Sequence, residues 1–100
     1  MSVETWESIA QWCDETFGPA TAARMAARAN EEMAELIDKA TQTNTYDEGV
    51  LIEAADVVIC LARFPGIWAA VERKMAINRQ RKWRLTGEGT GYHIAPEQSQ

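Results

Sequence analysis

Cysteine and histidine are scarce in this chain, with two Cys and one His among 100 residues. Cys13 and Cys60 lie far apart without a Cys-x-x-Cys spacing. That pattern suits buried thiols in a reducing cytoplasm better than a disulfide or a zinc site. No apolar run is long enough, and free enough of acids, to cross a bilayer. The start, MSVETWES, has neither a basic stretch nor an apolar core, so no secretory signal is expected. An excess of positive charge is missing too: the formal net charge is −5 and the pI about 4.8. This argues against binding a nucleic-acid polymer by bulk electrostatics. A small anionic substrate stays open, because a metal ion can reverse the local field. No segment alternates convincingly as a strand, and there is no repeat or low-complexity tract.

What is present is apolar and helical. Hydrophobic residues make up 46% of the chain, with four Trp. A chain of this length is expected to form one domain, residues 1–100, with a core over about 3–85 and an irregular tail over 86–100. A domain so small leaves much apolar surface uncovered, so a homodimer or homotetramer is expected. The first helix is expected over 3–17, capped by Ser2 and stopped by Gly18-Pro19. Its Trp6, Ile9, Cys13 and Phe17 recur at helical spacing, so Trp6 and Phe17 are expected to pack. A second helix should begin near Thr21 and reach about Thr41. Ala22, Met25, Ala26, Ala29, Met33, Leu36, Ile37 and Ala40 form its apolar stripe. The polar connection TQTNTYDE follows, with Thr45 or Asp47 as the next N-cap. A third helix then runs to Phe64, where Pro65-Gly66 breaks it. The fourth is expected from Ile67 to about Leu85, with Ile67, Val71, Met75 and Ile77 or Asn78 turned inward. Beyond it GEGTG, Tyr92, His93, Ile94 and Pro96 read as a loop and a frayed end. The fold class is therefore all-α, with about four helices.

The third helix, GVLIEAADVVICLA, is apolar on nearly every side and should be buried nearly all round. Glu53 and Asp56 nevertheless sit in its middle, about 60° apart on one face. An ionised carboxylate taken out of water without a partner is costly. A cation must lie between the two, whether Lys or Arg, a shared proton, or a metal ion. The second helix offers a similar pair: Glu32 at the edge of its stripe and Glu35 about 60° further round, with Glu31 facing outward. If these helices pack antiparallel, the four carboxylates converge. A hard-oxygen set without histidine or thiolate suits Mg²⁺ or Mn²⁺. The plainer readings are a solvated acidic surface for Glu31, Glu32 and Glu35, and an ion pair with Arg63 or Lys74 for Glu53 and Asp56.

On the fourth helix Lys74, Asn78 and Arg81 stand at i, i+4 and i+7 and share a face. They could grip a triphosphate, with Lys as a point charge and Arg as a fork, or form a solvated basic face near a helix C-terminus. Trp83 could stack on a base or pack, and His93 could touch substrate or be incidental. GEGTG is not a P-loop, because it lacks the Gly-Lys-Ser/Thr ending and no helix follows.

Glu31-Glu32-Met33-Ala34-Glu35 followed by Glu53-Ala54-Ala55-Asp56 resembles the EExxE…ExxD signature of the all-α nucleotide pyrophosphohydrolases, the MazG-like superfamily. KMAINRQRKW, which holds Lys74, Asn78, Arg81 and Trp83, is similar to the pattern downstream of it. Thr16-Phe17-Gly18-Pro19 and Gly91-Tyr92-His93-Ile94 resemble a narrower branch, the MazZ-type dATP/dGTP diphosphohydrolases often found in phages. The resemblance covers about residues 5–94. It implies a MazG-like helical bundle completed by oligomerisation, in a bacterium or a phage-infected host cell. Glu32, Glu35, Glu53 and Asp56 would hold two or three Mg²⁺ or Mn²⁺ ions, and Glu31 would be a further ligand or help deprotonate water. Water would attack the α-phosphorus of a dNTP, purines favoured, to release dNMP and pyrophosphate. Lys74, Asn78 and Arg81 would hold phosphates or ribose. Trp12 of the first helix and Trp83 are candidates for contact with the base. A pyrimidine nucleotide or phosphoribosyl-ATP is the alternative substrate within the same chemistry, and a non-catalytic helical interaction module is the alternative outside it.

Overall fold

The computed structural model describes residues 3–95, so Ser2 and Pro96 lie outside the described residues. Four helices are present: α1 (Trp6–Phe17), α2 (Ala22–Thr43), α3 (Glu48–Ala62) and α4 (Ile67–Gln80). Two short strands follow, β1 (Lys82–Leu85) and β2 (Gly91–Ile94). The fold class is all-α, as expected, with one addition described below. The chain divides into two compact units, broken between Ile67 and Trp68.

In the first unit each helix start is fixed by a side-chain cap. α1 begins three residues later than expected, because Thr5 and not Ser2 closes its first turn. Thr5 Oγ1 accepts from the Ser8 amide at 2.9 Å and Ser8 Oγ accepts from the Thr5 amide at 2.8 Å, a reciprocal capping box. Gly18 ends it at φ 86°, its amide donating to Asp14 O at 2.9 Å. Thr21 caps α2 through the Arg24 amide, and Asp47 caps α3 through the Val50 amide. Asn44 ends α2 in the left-handed region at φ 52°, a conformation that asparagine tolerates better than most residues.

The packing of α2 against α3 is antiparallel, and the contacts along them prove it. Gly49 faces Lys39, Glu53 faces Glu32 and Glu35, and Cys60 packs on Ala29 and Met25. Arg63 then reaches Met25. At Gly49 the approach is so close that a Cβ would lie 2.8 Å from Lys39 Cε. Met25, Ala29 and Cys60 form the central cluster with Phe64 against it, and Cys13 of α1 is also buried.

The expectation that α3 is enclosed on nearly every side is corrected. Val50, Val57, Cys60 and Ala62 are buried, but Leu51 and Ile52 are about half exposed, and Val58, Ile59 and Leu61 are exposed as well. The first unit supplies only α1 and α2 to cover α3, so one apolar face stays open. The α2 stripe is corrected likewise: Met25 and Ala29 are buried while Ile37 is 56% exposed. Phe17, expected to pack, is 69% exposed at the end of α1.

In the second unit α4 stops at Gln80, five residues short of the expected end. Val71, Met75 and Ile77, expected inward, are exposed, and α4 has no buried residue. Residues expected to continue the helix pair instead with residues expected to be loop. Lys82 opposes Ile94, Trp83 opposes His93, Arg84 opposes Tyr92 and Leu85 opposes Gly91 in an antiparallel hairpin. The connecting turn is closed by the Thr86 amide donating to Thr90 O at 3.0 Å. Gly87 and Gly89 take φ near +85°, which a side chain would oppose.

Candidate active site

The acidic centre is built by two antiparallel helices that bring their acids to one level. Carboxylate oxygens of Glu32, Glu35 and Glu53 lie within 4.8 Å of one another. Glu32 and Glu35 share a face because they are three residues apart on α2, and α3 brings Glu53 beside them. Glu32 is buried, Glu53 half-buried and Glu35 exposed. A hydrogen bond with Glu35 pushes the Glu32 pKa up, burial adds to the rise, and the Arg28 guanidinium opposes it. Arg28 forks over two acids, reaching Glu31 Oε2 at 2.8 Å and Glu32 Oε1 at 2.6 Å. Arg28 thus offsets part of the cluster's negative charge. Octahedral Mg²⁺ holds its oxygens about 2.0–2.1 Å away, which sets ligand oxygens roughly 3–4 Å apart. The 4.8 Å limit on the cluster is somewhat wider than that, and the donors are all hard oxygens, so the three acids could draw in around a divalent ion such as Mg²⁺ or Mn²⁺.

The other two acids are placed differently. Asp56 is half-buried and is not one of the three, but it lines a cleft together with Glu32. Glu31 is exposed and faces outward with Arg28, in keeping with its helical angle.

The cleft has a volume of about 880 Å³. Trp12, Cys13 and Phe17 of α1 line it, and so does the turn Gly18-Pro19-Ala20-Thr21. Arg24, Met25, Arg28 and Glu32 of α2 contribute, as do Asp56, Ile59, Cys60 and Arg63 from α3 and its cap. Trp12 and Phe17 meet edge to face with ring centroids 5.5 Å apart, and both rings are largely exposed. This size, with apolar walls and a few convergent polar groups, is typical of a small-molecule site. Glu32 belongs both to the cleft and to the acidic cluster, so a ligand in the cleft would reach the acids. Burial pushes the Cys60 thiol pKa up, with Glu32 adding to the rise, which disfavours the thiolate.

Two features of the cleft differ from the sequence expectation. Phe17, expected to pack, stands one residue before the Gly-Pro stop, on a helix end with little to cover it. Arg63 is the expected ion-pair partner of Glu53 or Asp56. It pairs instead with Asp14 Oδ1 at 2.9 Å and donates to Gly18 O at 2.6 Å and to Met25 Sδ at 3.4 Å. Arg28, at i−4 from Glu32, carried a readable signal.

In the second unit Asn78, Arg81 and Trp83 meet at the end of α4. Asn78 O accepts from the Arg81 amide at 3.2 Å and from Trp83 Nε1 at 3.0 Å. Asn78 Oδ1 is enclosed with no hydrogen-bond partner. Lys74 lies one turn earlier and is exposed. Trp83 contacts His93, ring centroids 6.3 Å apart.

Over 89 residues the chain is 34% identical to a dATP/dGTP diphosphohydrolase of Salmonella phage PMBT28. That match takes in 86% of this chain and 29% of the phage protein, so the chain spans under a third of the relative's length. No family model matches the sequence, and no solved structure matches it. No helix among the described residues is long and apolar enough to cross a membrane.

Proposed function

We propose that the chain is a Mg²⁺- or Mn²⁺-dependent diphosphohydrolase that takes a purine deoxynucleoside triphosphate to the monophosphate and pyrophosphate. The observation that carries this reading is the convergence of three carboxylates from two helices at the edge of a cleft walled by exposed aromatic rings. The phage relative, named for dATP and dGTP, supports the substrate class.

In this reading Glu32, Glu35, Glu53 and Asp56 would hold two or three ions. When bound, the metal neutralises phosphate charge and makes a water more acidic. The chain's own groups do the rest. Glu31, exposed and paired with Arg28, would be a further ligand or would help deprotonate the attacking water. Lys74 and Arg81 neutralise phosphate oxygens, and Asn78 bonds phosphate or ribose. Trp12 presents its ring to the base, and Trp83 offers a second stacking surface. Water attacks the α-phosphorus, the bond to the bridging oxygen breaks, and pyrophosphate leaves. The chain acts in the cytoplasm of a bacterium or of a phage-infected cell, as a homodimer or homotetramer. The open apolar face of α3 supports the oligomer, because leaving Leu51, Ile52, Val58 and Ile59 in water is unfavourable.

Pyrophosphate release from each dNTP with Mg²⁺ or Mn²⁺ tests the reading. Hydrolysis of dGTP and dATP ahead of the pyrimidine nucleotides is expected. Preference for dCTP, dUTP or phosphoribosyl-ATP would move the substrate class, and no hydrolysis of any nucleotide would favour a non-catalytic interaction module.

A further inference from the structure

Arg63 lines the cleft but has no part in the proposed reaction. Its side chain is 8% exposed, and it reaches across 45 to 49 residues of sequence to the end of α1. One terminal nitrogen, Nη2, serves both Gly18 O and Asp14 Oδ1, and Nη1 meets only a weak acceptor, Met25 Sδ. Nε is enclosed and has no hydrogen-bond partner. A guanidinium buried with an unmet donor is a poor choice for stability alone, since an apolar residue of similar volume avoids the desolvation. What the arrangement does accomplish is geometric. α1 has no basic residue in its last turn, and its Gly18 end is held from outside by Arg63. The residue before Gly18 is Phe17, whose ring meets Trp12.

We propose that Arg63 is a positioning residue, which clamps the α1 terminus so that the Trp12–Phe17 pair stands as a fixed wall of the cleft and sets affinity for the purine base. The inference rests on the diphosphohydrolase reading. Arg63 pairs with Asp14 and not with the cluster acids Glu32, Glu35 and Glu53, and in this account it does not meet the reacting phosphate. Its loss therefore acts on substrate binding and leaves the metal cluster intact.

Arg63→Met removes the charge at similar volume, and Arg63→Lys keeps a charge that cannot fork. Asp14→Asn weakens the clamp by a change at its exposed partner, keeping the Arg63 side chain in place. Steady-state pyrophosphate release from dGTP and dATP with Mn²⁺, thermal melting, and Mn²⁺ titration followed by paramagnetic resonance are measured on all three and on the parent chain. Arg63→Met should raise KM about tenfold with kcat within about threefold, the pattern of lost ground-state positioning. Arg63→Lys should recover part of that, and Asp14→Asn should shift KM in the same direction by a smaller factor. Mn²⁺ affinity should not change in any of them. If Arg63→Met does not fold, Arg63→Lys and Asp14→Asn decide. Lowered melting with parental KM in the folded variants makes Arg63 a structural clamp only and overturns the proposal, while the diphosphohydrolase reading stands. A parent chain that hydrolyses no nucleotide overturns both.

Discussion

The two units of this chain carry opposite charge. Residues 3–67 hold twelve Asp or Glu against four Lys or Arg, whereas residues 68–95 hold two acids against six bases. The formal net charge of −5 conceals this division. Under the proposed function the division has a use: the acids of the first unit would be met by cations, and Lys74 and Arg81 of the second would be the phosphate partners. The difference extends to how the charges are held. Glu32 is buried and tied to Glu35 and Arg28, so its environment is fixed by packing. Lys74 is exposed on a helix that has no buried residue, so its role is one of charge and reach.

The largest expected effect comes from breaking the acidic side of this contrast. Glu53→Gln keeps shape and removes one of the charges proposed to hold metal. Loss of an outer partner of a metal ligand already costs up to about 100-fold, so pyrophosphate release should fall by more than that. Next comes the basic side. Lys74→Ala or Arg81→Ala should raise KM for a dNTP about tenfold while Mn²⁺ affinity stays at the parental value, as steady-state kinetics and metal titration would show. Equal loss of metal affinity in the two kinds of variant would erase the division of labour.

Smaller effects distinguish the units by stability. Thr21→Ala removes the cap of α2 and should cost about 1 kcal/mol, lowering the melting temperature by roughly 4–8 °C. Amide exchange should rise in α2, with hairpin amides around Thr86 and Thr90 unaffected. The smallest effect is in pH. The Glu32 pKa is raised in the folded state, so its contribution is full below the unfolded value of about 4.3 and is lost as pH rises through the raised value. Melting temperatures in chelator should therefore decline across that window, and Mn²⁺ or Glu32→Gln should remove the decline. Asp47 works in the opposite direction. The Val50 amide holds its pKa down, so its contribution is present above the usual carboxylate range and lost as pH falls. Asp47→Ala should remove that acid-side loss.

The first unit was legible in sequence where side chains act locally. Thr21, Asp47, Gly18 and the i, i+3 acids on α2 and α3 all read through helix periodicity. Its open face did not, because the apolar residues of α3 signal burial whether a single chain or an assembly supplies the cover. The Arg63–Asp14 pair spans more than 40 residues and so leaves no local pattern in the sequence. The second unit was legible only in part. KWRL and GYHI are four residues each, too short to show alternation, and RKWRL has helix propensity enough to extend α4 on paper. The glycines of GEGTG marked a turn, and Trp83 and Tyr92 on either side of it were the available sign of a hairpin.

The central claim is that Glu32, Glu35 and Glu53 are gathered to hold divalent cations. A manganese titration followed by paramagnetic resonance, on the parent chain and on Glu53→Gln, tests it most directly. The account predicts saturable binding in the parent chain and at least a tenfold weaker affinity in the variant. Identical titrations for the two proteins, or no binding by either, would contradict it.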